Sequence, residues 1–183
     1  MTPEIPTSGR RTTDLGLHPQ NIGATMPHGY AGGYARQPDS IVNTRPAGAE
    51  IVFGAALKYD ANGNVVPMGA GDTASAFVGV ASKEVKTALA YLDQSAGRYG
   101  SKEAVPVFMR GAVNVICQKG GPKLGGAVYI RIAESDSCPG AAVGGFEAEA
   151  DGSNTVQLAN CQWAGPADVN KVAELRILTM NNA

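Results

Sequence analysis

The chain has 183 residues, which is enough for one domain of ordinary size. Its 15 Lys and Arg against 16 Asp and Glu give a net charge of -1, so no basic excess points to a nucleic-acid partner. No apolar run approaches the ~20 residues that cross a bilayer, and the N-terminus lacks the apolar region of a signal peptide. We therefore expect no membrane partner and a protein that stays in the cell that makes it.

The counts of glycine, proline and cysteine further restrict the fold class and the kinds of cysteine site that the chain can contain. Gly and Pro number 24 and 11, which suits many short strands and tight turns. The three cysteines, Cys117, Cys138 and Cys161, are an odd number at wide spacing. They predict neither a disulfide framework nor a C-x-x-C metal site. We expect free thiols, with Cys117 and Cys161 serving as small core residues.

Residues 1–44 differ from the rest of the chain. They hold five prolines and a Gly/Tyr cluster at 29–34, with almost no periodic apolar pattern. Such a segment cannot bury enough apolar surface by itself to offset its ordering entropy. It is therefore either a disordered tail or an extended arm ordered by a neighbouring subunit. For the arm, the predicted contact residues are Arg10, Arg11, Tyr30, Tyr34, Arg36, Ile41 and Arg45.

Strand patterns begin after the arm and continue to the C-terminus. Apolar residues alternate at 51–55, and an Asn-Gly pair at 62–63 between apolar runs predicts a hairpin. Residues 76–81 predict a short buried strand. The stretch 83–100 is ambiguous: part of it could be helix or strand, and it ends in a loop.

The most regular pattern lies at 105–118, read V-P-V-F-M-R-G-A-V-N-V-I-C-Q. Apolar residues alternate on both sides of Gly111, so two strand segments are predicted to meet there with their apolar residues inward. A lone Gly in a strand marks a bulge or a bend.

Three further segments continue the strand pattern. At 127–132 the alternation places Tyr129 and Arg131 outward. Residues 146–150 alternate apolar with acidic, turn at 151–152 and return at 155–158. The last strand, at 172–180, places Glu174 and Arg176 outward. Short strands without amphipathic helices predict an all-β fold at 45–183, a compact β-barrel or β-sandwich of jelly-roll type.

No arrangement of residues predicts catalysis, a cofactor or a metal. His18 and His28 are the only histidines, and both stand beside prolines without further ligands at useful spacing. The G-G-P-K-L-G-G run at 120–126 fails as a phosphate loop, because its Lys precedes the second glycine pair. Glu147 and Glu149 alternate with apolar neighbours, which is typical of the solvated face of a strand. Trp163 is interpreted as a packing residue.

The order of several short motifs resembles the head decoration, or structural cement, proteins of tailed bacteriophages. The run G-Y-A-G-G-Y-A at 29–35 is followed by D-S-I-V-N-T at 39–44 and by I-V-F-G-A-A-L at 51–57. Next come G-V-A at 79–81, Tyr99, E-A-V-P-V-F-M-R-G at 103–111 and G-G-A-V-Y-I at 125–130. The resemblance spans residues 28 to 132 and rests on this order and spacing, because each motif alone occurs widely.

That resemblance implies a non-enzymatic virion protein without cofactors. The protein would sit on the outside of an icosahedral head after synthesis in the bacterial cytoplasm. As a homotrimer it would clamp neighbouring major capsid proteins, with residues 1–44 reaching onto the capsid or an adjacent trimer.

Three other classes remain open. A tail or head–tail connector subunit would form rings of six or twelve instead of trimers. A trimeric β-fold nucleotide hydrolase would need an Asp-bearing substrate loop and an arginine-rich closing motif, neither of which we find. A carbohydrate-binding module would have little stacking surface, because aromatic residues make up only 6% of the chain.

Overall fold

A computed structural model of the chain describes residues 27–84 and 96–181. The predicted contact residues Arg10 and Arg11 lie outside these ranges, as do residues 85–95 of the ambiguous stretch. Within the described residues, no helix is long and apolar enough to cross a membrane.

The described residues form twelve strands and two single-turn 3-10 helices, so the all-β prediction is confirmed. The strands are β1 (Tyr34–Pro46), β2 (Ile51–Val52), β3 (Ala56–Tyr59), β4 (Val65–Pro67), β5 (Gly79–Ala81), β6 (Arg98–Tyr99), β7 (Ala104–Ile116), β8 (Val128–Arg131), β9 (Phe146–Glu147), β10 (Thr155–Leu158), β11 (Cys161–Trp163) and β12 (Val172–Ile177). The 3-10 turns span Ala74–Ala76 and Gly152–Asn154. Every pairing between these strands is antiparallel.

The largest sheet has seven strands, in the order β11-β12-β7-β5-β3-β4, with β1 added along β7. A second sheet has the order β10-β8-β9, and a third pairs β2 with β6. Within the described residues these sheets do not close into a complete barrel. The last eleven residues of the segment predicted as an arm, 34–44, lie in β1, which pairs with β7 from Tyr34 to Pro46.

The Asn-Gly hairpin predicted from the sequence connects β3 and β4. Both the Asn62 and the Asn64 backbone N–H groups donate to Asp60 Oδ1, each at 2.8 Å. Gly63 has a φ of 78°, a backbone conformation that glycine adopts without steric cost. The polar residues of this turn are therefore occupied in shaping the turn.

Gly111 lies inside one continuous strand, β7, and does not separate two strands. Its φ is 112°, and a Cβ there would collide with the Asp39 carbonyl oxygen of β1. The pairing of β1 with β7 is irregular between Arg36 and Ile41, opposite this glycine. The sequence thus predicts the irregularity correctly, and its cause is the close approach of a second backbone.

The hydrophobic core consists of two clusters that meet at β7. One contains Phe108, Val113 and Val115, and the other contains Val105 and Val107. The odd-numbered valines on the two sides of Gly111 therefore belong to different clusters, because the bulge shifts the alternation by one position. Both faces of β7 are buried, as expected for a central strand. Trp163 is fully buried in the first cluster, as its interpretation as a packing residue requires.

The strands near the C-terminal half differ from the sequence prediction in two ways. β9 and β10 do not form a hairpin with each other, because each pairs with β8, which lies between them. Arg131 and Glu147, both predicted to face solvent, have side chains with no exposed surface. Glu174 is also buried, although its alternation predicts an outward position. Each of these charges has an ion-pair partner, which makes the burial possible.

Candidate interaction surface

The predicted contact residues that the structure describes begin at Tyr30, which is 73% exposed. The Lys83 Nζ atom lies 3.8 Å from the centroid of its ring, a cation–π contact at the surface. Tyr34 is half-buried, packs edge-on against Phe108 and donates a hydrogen bond of 2.6 Å to Glu84 Oε1. Burial, together with this hydrogen bond, raises the pKa of Tyr34 to about 12. The two tyrosines thus differ: Tyr30 keeps most of its surface exposed, whereas Tyr34 anchors β1 to the core.

Arg36 is bound within the chain. Its Nε atom lies 2.7 and 3.0 Å from the two carboxylate oxygens of Glu174, and Arg176 lies 3.2 Å from the same carboxylate. Burial alone would raise the pKa of Glu174, but the hydrogen bonds from the two arginines lower it. Arg36 therefore fastens β1 to β12, and its exposed face is what remains for a partner.

The remaining predicted contacts lie further along β1. Ile41 is half-buried and pairs with Arg110 of β7, while Arg45 is exposed with its guanidinium 6.0 Å from the centroid of the Tyr59 ring. The structure therefore places Tyr34, Arg36, Ile41 and Arg45 along a single strand. Among the described strands, β1 pairs only with β7.

A groove with an apolar lining lies beside the start of the described chain, and sequence reasoning did not identify it. We call it the apolar groove; its part with the most apolar lining has a volume of about 260 Å³. It is lined by Tyr30, Ala31, Val52, Phe53, Ile116 and Val143. Tyr30, Val52, Ile116 and Val143 are 73%, 60%, 47% and 37% exposed. The alternation of apolar residues along a strand does not predict this groove, because an apolar residue at a strand end fits the same alternation whether it is buried or exposed to solvent.

The chain reaches the apolar groove from a fixed anchor. The His28 backbone N–H donates to Asp168 Oδ2 at 2.9 Å, and the His28 carbonyl oxygen accepts from Asn114 Nδ2 at 2.7 Å. The His28 ring lies 3.2 Å from the Pro166 carbonyl oxygen. Backbone hydrogen bonds from Gly32 to Asn114 and from Asn114 to Gly33 continue the attachment. Residues 28–33, which include Tyr30, are therefore held at both ends of their passage along the groove.

A second polar cluster surrounds Arg131. Its guanidinium bridges Glu147, with N–O distances of 2.5 and 3.1 Å, and Asp151, at 3.0 Å. Lys119 Nζ lies 3.2 Å from Asp151, and Ser137 donates to the same carboxylate at 2.7 Å. These contacts tie the connection between β8 and β9 to the small sheet. Every group in this network has a partner in the chain, so its role is structural.

Metal-binding and thiol chemistry find little support in the described part of the chain. No group of three or more His, Cys, Asp or Glu residues there could hold a metal ion. The three cysteines are free, as predicted, and Cys117 and Cys161 are buried. Burial raises the pKa of the Cys161 thiol to about 12 and raises that of Cys117 as well.

Comparison with known proteins supplies the family. A family model described as XM1 gp53 minor capsid protein matches residues 20–177. The chain belongs to the XM1 gp53 minor capsid protein family. It is therefore a structural protein of a bacteriophage capsid, and its place is the virion.

The fold agrees with that family. A chain in the solved capsid of Myoviridae phage XM1 superposes with a TM-score of 0.65 at 17% sequence identity. The match covers 87% of this chain and 96% of that chain. No match was found among curated protein sequences. The resemblance to phage capsid-associated proteins inferred from the sequence is thus confirmed at the level of family and fold.

Proposed function

We propose that this member of the XM1 gp53 minor capsid protein family is a non-enzymatic cement protein. It binds the outside of an icosahedral head and joins neighbouring major capsid proteins. The observation that carries the proposal is the attachment of the N-terminal segment: β1 pairs along almost the whole of β7, the strand shared by both core clusters. A mechanical force on residues 1–26 would therefore be transmitted through β1 to β7 and the core of the domain.

Binding through many weak contacts suits this role. A decorated head carries many copies, and linked binding sites raise overall affinity through effective concentration. A segment that orders on docking can cover a large surface at modest affinity per area. Tyr30 and Arg45 are exposed, and Tyr and Arg are frequent among residues that dominate binding energy. We assign the contact role first to Tyr30, Arg45 and the predicted arm residues Arg10 and Arg11.

The proposal includes a homotrimer built through the β-domain, made in the bacterial cytoplasm and added to the exterior of the shell. In that arrangement the β-domain supplies the subunit interface and residues 1–26 reach the major capsid protein or an adjacent trimer. Arg36 supports the arrangement by fastening β1 to β12.

The test is binding to heads that lack the protein. Full-length chain and a variant without residues 1–26 are added to expanded heads, and bound protein is measured by co-sedimentation. We expect at least ten-fold weaker binding for the shortened variant, because it keeps the sheet and loses the reaching segment. Truncation at residue 44 would be unsuitable, since it removes most of β1 from β7. Undiminished binding of the shortened, folded variant would overturn the role of the arm.

A further inference from the structure

The apolar groove contains an unusual share of the exposed apolar surface. Eight large hydrophobic side chains are exposed among the described residues, and four of them (Tyr30, Val52, Ile116 and Val143) line this groove. Scattered exposed apolar residues are normal, whereas a contiguous group marks a site that another surface covers. We propose that the groove holds residues 12–22, which carry Leu15 and Leu17, from the N-terminal segment of a second copy of this chain. The proposal rests on the reaching role of residues 1–26 proposed above.

The volume and lining of the groove suit one or two apolar side chains. A cavity of about 150 Å³ lined by aliphatic and aromatic residues can hold a benzene-sized group. The part of the groove between Val52 and Val143 has a volume of about 260 Å³, and its lining is mostly apolar, with Phe53, Pro67 and Phe146 among its walls. Charged residues enter the lining only at Glu50 and Lys83 among the described residues.

The N-terminal segment has matching side chains. Leu15 and Leu17 stand on either side of Gly16, and Ile22 follows. In an extended segment Leu15 and Leu17 point to the same side, about 7 Å apart. The glycine between them lets the backbone lie close to a surface. Leu17 stands ten residues before Pro27, so an extended link of about 33–36 Å is available to reach a neighbouring subunit.

The anchor at His28 favours a neighbour's segment over the chain's own. The chain comes to the groove from the loop that contains Pro166 and Asp168, which hold His28. To fill its own groove, the segment would have to turn back towards Tyr30 within the nine residues between Leu17 and Pro27. A segment from a second copy can lie across the groove without that reversal, and it would link subunits into a continuous network.

Cross-linking between two differently labelled chains tests the assignment. In a Cys138→Ser background, one chain carries Leu17→Cys and another carries Val52→Cys; the remaining cysteines are buried. The two are mixed, bound to heads and oxidised, and the products are separated on a non-reducing gel. We expect a disulfide-linked heterodimer. The matched control pairs Leu17→Cys with Gln157→Cys, an exposed position on β10, and should give none.

A binding measurement supplies a second readout that needs no cross-link. Ile116→Asp places a charge in the groove and should weaken binding to heads about as much as deletion of residues 1–26. Leu124→Asp, at an exposed site outside the groove, should leave binding unchanged. Val52→Asp provides an independent groove variant should Ile116→Asp unfold the chain.

The outcomes separate this inference from the cement role. If the shortened chain binds weakly while the groove variants bind normally and no heterodimer forms, the groove assignment is wrong and the arm keeps its role. A chain that carries both cysteines and closes only within itself would also contradict the second-copy assignment. If the shortened chain itself binds normally, the proposed arm function fails first.

Discussion

At the scale of single residues, the Arg131 guanidinium is held between the carboxylates of Glu147 and Asp151. Removing one partner of a buried ion pair leaves an uncompensated charge, which is far more costly than losing a surface pair. The sequence around Glu147 alternates apolar with acidic and predicts solvent exposure. The prediction fails for Glu147 because its carboxylate pairs with the buried Arg131 guanidinium, and strand alternation cannot report such a partner on the polar side of a strand.

Asp151 gives this network a dependence on pH. Its pKa lies well below the usual range, chiefly because Ser137 donates a hydrogen bond to the carboxylate, with Arg131 and Lys119 beside it. A carboxylate with a lowered folded-state pKa adds stability above its unfolded pKa of about 3.9, and that stability disappears as pH falls. We expect Asp151→Asn to lower the free energy of unfolding at pH 7, with the difference from wild type narrowing below about pH 4.

Denaturant unfolding at pH 7 and pH 3 measures this effect. Asp136→Asn is the control, since Asp136 is exposed in the same connection. Equal stability of wild type and Asp151→Asn at pH 7 would show that the network adds nothing.

At the scale of elements, β7 depends on Gly111. Gly111 has a φ of 112° and lies against the Asp39 backbone. A side chain there would therefore be disfavoured both by the backbone conformation and by a steric clash. We expect Gly111→Ala to destabilise the fold by at least about 2 kcal/mol. Gly121→Ala is the control: Gly121 is exposed, and a Cβ there meets nothing within 4 Å. Its effect should stay within about 0.5 kcal/mol. Chemical denaturation compares the two, and similar stabilities would contradict the steric argument.

Elements with a strong local signal were predictable from the sequence. The Asn-Gly turn between β3 and β4 has its cause in neighbouring residues, and Gly111 marks the irregularity in β7 although the backbone that requires a glycine there comes from β1. The position of β8 between β9 and β10 has no such local cause. Two strands joined by a short turn usually pair with each other, and only the tertiary fit of a third strand changes that.

At the scale of the whole molecule, the exposed apolar surface outside the groove bears on assembly. Leu124, Val169, Leu178 and Met180 remain exposed there. We expect size-exclusion chromatography with light scattering to give a trimer for both the full-length chain and the chain without residues 1–26, because the proposed subunit interface lies in the β-domain. If both the full-length and the shortened chain are monomers, we would conclude that subunits assemble only on the head surface. A ring of six or twelve would favour a tail or connector subunit.

The family and the fold class could be predicted from the order of motifs and the strand patterns, whereas the candidate surface could not. The apolar groove joins Tyr30, Val52, Ile116 and Val143, which come from four separate parts of the chain. The predicted contact residue Arg36 has an ion-pair partner 138 positions away. Such pairings depend on tertiary structure, and a single sequence contains no local sign of them.

The pairing of β7 also sets the order in which this protein can be built on the ribosome. Its partner β1 precedes it by about 70 residues, and β12 follows it by about 60, ending at Ile177, six residues before the C-terminus. The large sheet thus cannot be completed until β12 has been synthesised. A fold dominated by such distant pairings acquires its structure slowly, on a scale of milliseconds to seconds. Each new copy consequently completes its largest sheet only once β1, β7 and β12 are all available for pairing.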